Sequence, residues 1–116
     1  MRHLDEIETL TDDEKRMLRS VKQAVLQHAP EAEVILYGSA ARGEHGPESD
    51  YDVLVLVPAR LPRGAEDGLR DAVYDAAFDH EQVVVSVMVY GRDEWETPLR
   101  AATPYHENVE REGVRV

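Results

Sequence analysis

Asp50 and Asp52 stand two apart at the head of the apolar run Tyr51–Val57, and ten residues separate them from Gly38-Ser39. A strand's period of two sends both carboxylates to one face, with Tyr51 and Val53 on the other. Like charges held that close raise each other's proton affinity unless a divalent cation lies between them. A hard cation with oxygen ligands suits the pair. Mg²⁺ commonly binds through one or two carboxylates together with substrate phosphates.

The other half of the stretch offers a place for those phosphates. Val34–Tyr37 reads as a short buried strand, and Gly38 ends it where the backbone must turn and let a ligand come close. Ser39 is expected to cap a short helix over Ala40–Arg42, whose outward amides suit phosphate oxygens. Arg42 adds a fork of donors that fits a triphosphate, although an arginine there would also serve as a surface ion-pair residue. Gly43, Gly46 and Pro47 break the chain after that turn. Ser49 is expected beside the site, as a turn-former and candidate nucleotide contact. Ser39 and Asp50 reach the same sheet edge only if their two strands run antiparallel.

The segment Leu36–Val57, LYGSAARGEHGPESDYDVLVLV, resembles the minimal nucleotidyltransferase family, a branch of the DNA polymerase β-like superfamily. That family's motif is G-S, ten residues, D-x-D, and the spacing here is the same. Further along, SVMVYGRDEWE and NVEREGVRV are more weakly similar to its closing segments. The resemblance implies an α+β nucleotidyltransferase fold, with a small mixed sheet packed against helices. It also implies transfer of AMP from Mg·ATP to a tyrosine of a helical HEPN-type toxin, with this chain as the antitoxin. Asp50 and Asp52 would then bind Mg²⁺ as the catalytic pair, Gly38 and Ser39 would cradle the outer phosphates, and Arg42 would offset triphosphate charge. Two alternatives stand beside this reading. One is an inactive module of the same fold that neutralises its partner by contact; the other is transfer to a small molecule such as an aminoglycoside.

The family's third acid falls on the next strand, at a position around Val84–Ser86, where this chain reads Val-Val-Ser. No carboxylate is in that run. Glu81 is a substitute only if the register differs, and a base supplied by the substrate would also fit. His45 has no partner at metal-ligand spacing and is read as a solvated loop histidine. His3, His28, His80 and His106 are scattered and carry no signal.

The whole chain has 116 residues, which suits one domain with a modest core. Its 24 acidic against 13 basic residues give a net charge of −11, which disfavours a nucleic-acid backbone as partner. Without cysteine, neither disulfides nor thiolate metal sites are possible. No apolar run approaches membrane-spanning length and no charged start precedes an apolar leader, so a cytoplasmic protein is expected. A domain this small is expected to meet its acceptor on a separate protein or across a homodimer or hetero-oligomer.

Flanking elements must hold the pair and the turn in place. Thr11-Asp-Asp-Glu14 is a capping box, and Met17, Leu18, Val21, Ala24 and Val25 follow at helical spacing, predicting a helix from Asp12 to about His28. Leu69, Ala72, Val73, Ala76 and Ala77 mark a second helix ending near His80. Gln82–Tyr90 reads as the most apolar strand. Arg92–Glu96 predicts a helical turn with Trp95 as a core anchor, and Thr103-Pro104 predicts N-cap and N1 of a last helix ending at Gly113.

Overall fold

Thr11 starts the first long helix as its sequence predicts. Its side chain accepts from the Glu14 amide at 3.1 Å, while the Glu14 carboxylate accepts from the Thr11 amide at 2.9 Å. That helix, α1, runs Asp12–His28 in the computed structural model, which describes residues 1–46, 50–80 and 83–116. Strand β2 (Glu33–Tyr37) follows, then the short helix α2 (Ser39–Arg42) and strand β3 (Tyr51–Val57). Helix α3 (Arg63–Phe78) leads to strand β4 (Val85–Gly91). Three short helices come next: α4 (Arg92–Trp95), α5 (Pro98–Ala101) and α6 (Pro104–Glu112). Two-residue strands, β1 (Arg2–His3) and β5 (Val114–Arg115), complete the set.

The sheet order is β1-β5-β2-β3-β4. β2 and β3 run antiparallel, as the placement of Ser39 and Asp50 demands, with Tyr37 opposite Asp52. β4 joins β3 in parallel, and α3 makes the crossover that a parallel pair requires. The architecture is α+β with a mixed sheet, as expected. The third main strand starts at Val85, later than the apolar composition suggested, because Val83 and Val84 fall outside the ladder.

Alternation along the strands gives the sheet two unequal faces. Val34, Leu36, Val53, Val55, Val57, Val85, Val87 and Val89 pack against Met17, Leu18, Val21 and Val25 of α1 and Leu69, Val73 and Ala77 of α3. Ile35, Leu54 and Leu56 turn the other way, onto Trp95 and Val109. Trp95 is 1% exposed and donates its indole N–H to Glu110 at 3.2 Å, so it is the core anchor predicted. Asp52, in phase with Leu54 and Leu56, emerges on this second, thinly covered face.

Candidate active site

The chain reverses at Gly38 with φ 77° and ψ −155°, a conformation essentially confined to glycine. A side chain there would run into the Asp52 carboxylate, so the turn and the acid are packed directly against each other. Gly38 also occupies the cap position of α2, and no side chain caps that helix. This corrects the expectation for Ser39, which is the first helical residue instead. The turn needs a positive φ that serine resists, and glycine takes the cap for that reason. Ala40 and Ala41 are buried and fix the short helix to the core. Its first turn leaves the amides of Ser39, Ala40 and Ala41 without carbonyl partners inside the helix.

Asp50 is exposed at the entry to β3, and Asp52 is partly buried at its second position. Burial raises the Asp52 carboxyl above its ordinary value; the charge of Asp50 adds to this and Arg42 partly offsets it. The Asp50 charge thus adds to burial in opposing ionisation of Asp52. Two oxygen-donating carboxylates beside a turn of free amides fit Mg²⁺ held jointly with a triphosphate. Among the described residues no group of three or more His, Cys, Asp or Glu gathers to form a self-sufficient metal cage.

Arg42 is near Asp52 but is engaged elsewhere. Its Nε donates to Glu44 at 2.9 Å and an Nη to Glu112 at 3.1 Å. Ser49 and Glu81 lie outside the described residues. Across the parallel ladder, Asp52 pairs with Ser86, so the position expected to carry a third acid carries a hydroxyl.

Two sets of neighbours were not foreseen from the sequence. Tyr37, Tyr90 and Tyr105 gather on the Asp52 face around Trp95, with Tyr37 and Tyr105 edge to face at 5.5 Å. Burial, then the Asp52 charge, keeps the Tyr37 phenol protonated well into alkaline pH. Sequence phase along β2 and β4 could have put Tyr37 and Tyr90 on this face; nothing local marks Tyr105. The second set corrects a reading. His45 is not solvated: its side chain is 12% exposed, and Nε2 pairs with Glu14 at 2.5 Å. Tyr51 donates to the same Glu14 oxygen at 2.6 Å.

Residues 18–112 match the family of the nucleotidyltransferase domain. Among solved structures, a protein assigned provisionally as a nucleotidyltransferase is 20% identical, with TM-score 0.56 over 85% of this chain and 96% of the other. A second, a toxin–antitoxin structure with AMP-PNP, is 19% identical, with TM-score 0.57 over 90% of this chain and 72% of that one. At such identities the likeness is one of fold. No curated protein sequence matches the chain.

Proposed function

We propose that this chain, which belongs to the nucleotidyltransferase domain family, transfers AMP from Mg·ATP to a tyrosine hydroxyl of a helical HEPN-type toxin and acts as that toxin's antitoxin. The observation that carries the transfer is the contact between the Gly38 turn and the Asp52 carboxylate, with Asp50 alongside. The toxin context draws support from the fold shared with a toxin–antitoxin structure.

In this reading the Ser39–Ala41 amides and Arg42 bind and orient the triphosphate tail. Asp50 and Asp52 would hold Mg²⁺, which when bound would neutralise charge developing on the phosphates. The acceptor oxygen forms a bond to the α-phosphorus, the bond to the bridging oxygen breaks, and pyrophosphate leaves with that electron pair. The hydroxyl proton passes to solvent or to a base on the acceptor, since β4 offers no carboxylate. Positioning and charge neutralisation supply most of the rate for such a displacement.

The acceptor's approach is open. β4 is the outer strand on the Asp52 side, and Val84 and Met88, flanking Ser86, are 61% and 42% exposed. An acceptor on a second protein fits that uncovered face. Among the described residues no helix is long and apolar enough to cross a membrane, and a cytoplasmic setting accords with the proposed partner.

The test mixes the purified chain with the protein encoded beside it, Mg²⁺ and ATP, and weighs both proteins. A mass gain of one adenylate on the neighbour, absent with Asp52→Asn, is expected. No gain on any partner, with the two proteins still co-eluting, would instead favour neutralisation by contact alone. Ser86 in place of an acid is the observation that keeps that second reading in view.

A further inference from the structure

Glu14 takes part in more than the start of α1. One carboxylate oxygen accepts from the Thr11 amide at 2.9 Å and completes the capping box. The other accepts from the Tyr51 hydroxyl at 2.6 Å and pairs with His45 Nε2 at 2.5 Å. The Glu14 and His45 side chains are only 17% and 12% exposed, and the His45 and Tyr51 rings lie tilted with centroids 5.8 Å apart. One carboxylate thus joins three segments: the first turn of α1, the connection after α2, and the first residue of β3.

We propose that His45 and Glu14 form a latch that positions the Asp50/Asp52 pair by holding Tyr51 between them. The proposal rests on reading that pair as the reacting centre. Strand alternation puts Tyr51 on the face opposite both acids. A side chain pinned there stops the strand end from rolling, and the acids on the other side are fixed with it. Without the latch, the entry to β3 is tied to its neighbours by its backbone bonds, among them the 3.1 Å bond from the Tyr51 amide to the Val84 carbonyl. Asp50 lies just before the ladder and is exposed, so it has the most to lose when the strand end frays. His45 braces the carboxylate from the connection side and keeps it facing Tyr51. Burial opposes ionisation of Glu14, yet the Thr11 amide, the Tyr51 hydroxyl and the His45 ring together outweigh it and hold the carboxyl below its ordinary value. The latch is therefore a charged acceptor satisfied from three sides.

His45 and Tyr51 are positioning residues here, since neither is required to touch the nucleotide. A displacement of about 1 Å at a reacting group costs roughly 100-fold in rate. His45→Ala and Tyr51→Phe are therefore expected to lower kcat for transfer to the adjacent-gene protein by roughly 10–100-fold. The KM for ATP should rise by a smaller factor than kcat falls, because the Gly38–Ser39 turn is untouched. His45→Gln, whose amide can donate to Glu14, should restore most of kcat. Amide exchange at Tyr51–Val53 should quicken in His45→Ala. Parental kcat in both His45→Ala and Tyr51→Phe, or a loss in His45→Ala that His45→Gln does not repair, would overturn the latch. If the parent chain itself transfers nothing, the reading of the site fails separately. Amide exchange then decides: faster exchange upholds the latch, and unchanged exchange overturns it.

Discussion

Asp52 and Ser86 are direct partners across the parallel β3–β4 ladder, so the neighbour of the inner carboxylate is a hydroxyl. A carboxylate at position 86 would stand directly across the ladder from Asp52. Ser86→Asp is accordingly expected to speed transfer, by up to roughly 100-fold if it serves as general base. Asp50→Asn and Asp52→Asn should each reduce transfer by roughly 100-fold or more. Release of label from α-labelled ATP onto the acceptor reads all three. Undiminished transfer in both Asn variants would remove these acids from the mechanism, and an unchanged rate in Ser86→Asp would place the base on the acceptor.

Arg42 is held by the Glu44 and Glu112 carboxylates, and on the proposed reading a triphosphate would draw it away from them. Arg42 is 40% exposed, and ion pairs open to solvent in this way add little to folding stability. Arg42→Ala should therefore leave thermal stability within a few degrees while weakening ATP binding roughly tenfold. Glu112→Gln should tighten ATP binding by freeing the guanidinium. Calorimetric titration with ATP and Mg²⁺ compares the three proteins; equal affinities would mean that Arg42 never reaches the nucleotide.

At Gly38 a methyl group meets both an unfavourable φ and the Asp52 carboxylate. The backbone strain alone is about 1–3 kcal/mol. Gly38→Ala is expected to lower stability by that amount in urea unfolding and to lose transfer as well, because Asp52 must shift. A variant that unfolds like the parent would show that the turn relaxes freely.

Acid should reveal the Glu14 cluster. Its folded pKa lies below the unfolded value, so the stability it contributes is present above about 4.5 and fades as pH falls below that value. The parent should lose stability more steeply than Glu14→Gln over this range, and the two curves should converge at low pH. Thr11, Tyr51 and His45 face the carboxylate directly, and Asp13, Arg16, Asp79 and His80 line the adjoining cavity. Those groups are common to both proteins, but His45 loses its charged partner in Glu14→Gln, so the difference reads the Glu14–His45 pair. Parallel curves would contradict the assigned shift.

The motif's local geometry was readable because each piece follows a short-range rule. Period two, the antiparallel return and the Thr11–Glu14 box all involve neighbours in sequence, and each reappears in the structure. Ser39 was misplaced by a dihedral that serine resists and glycine accepts. His45 was misread because its partner is 31 residues away and already had a satisfactory role as a helix cap. Tyr105 reaches the Asp52 face only through the fold of the last helices. β1 and β5, two residues each, are too short for any periodicity to announce.

The order of strands gives the shortest of them a protective role. β5 comes last in the chain yet lies inside the sheet, with Val114 beside both Arg2 and Leu36. In a chain that lacks Val114 and Arg115, β2, β3 and β4 still pair with one another, but β1 has no strand to join. Without those two residues the outer edge of β2 presents unpaired amides and carbonyls, the kind of surface through which chains associate wrongly. Val114 and Arg115 thus shield that edge, and a chain truncated before Val114 is expected to aggregate although it keeps the Gly38 turn and both aspartates.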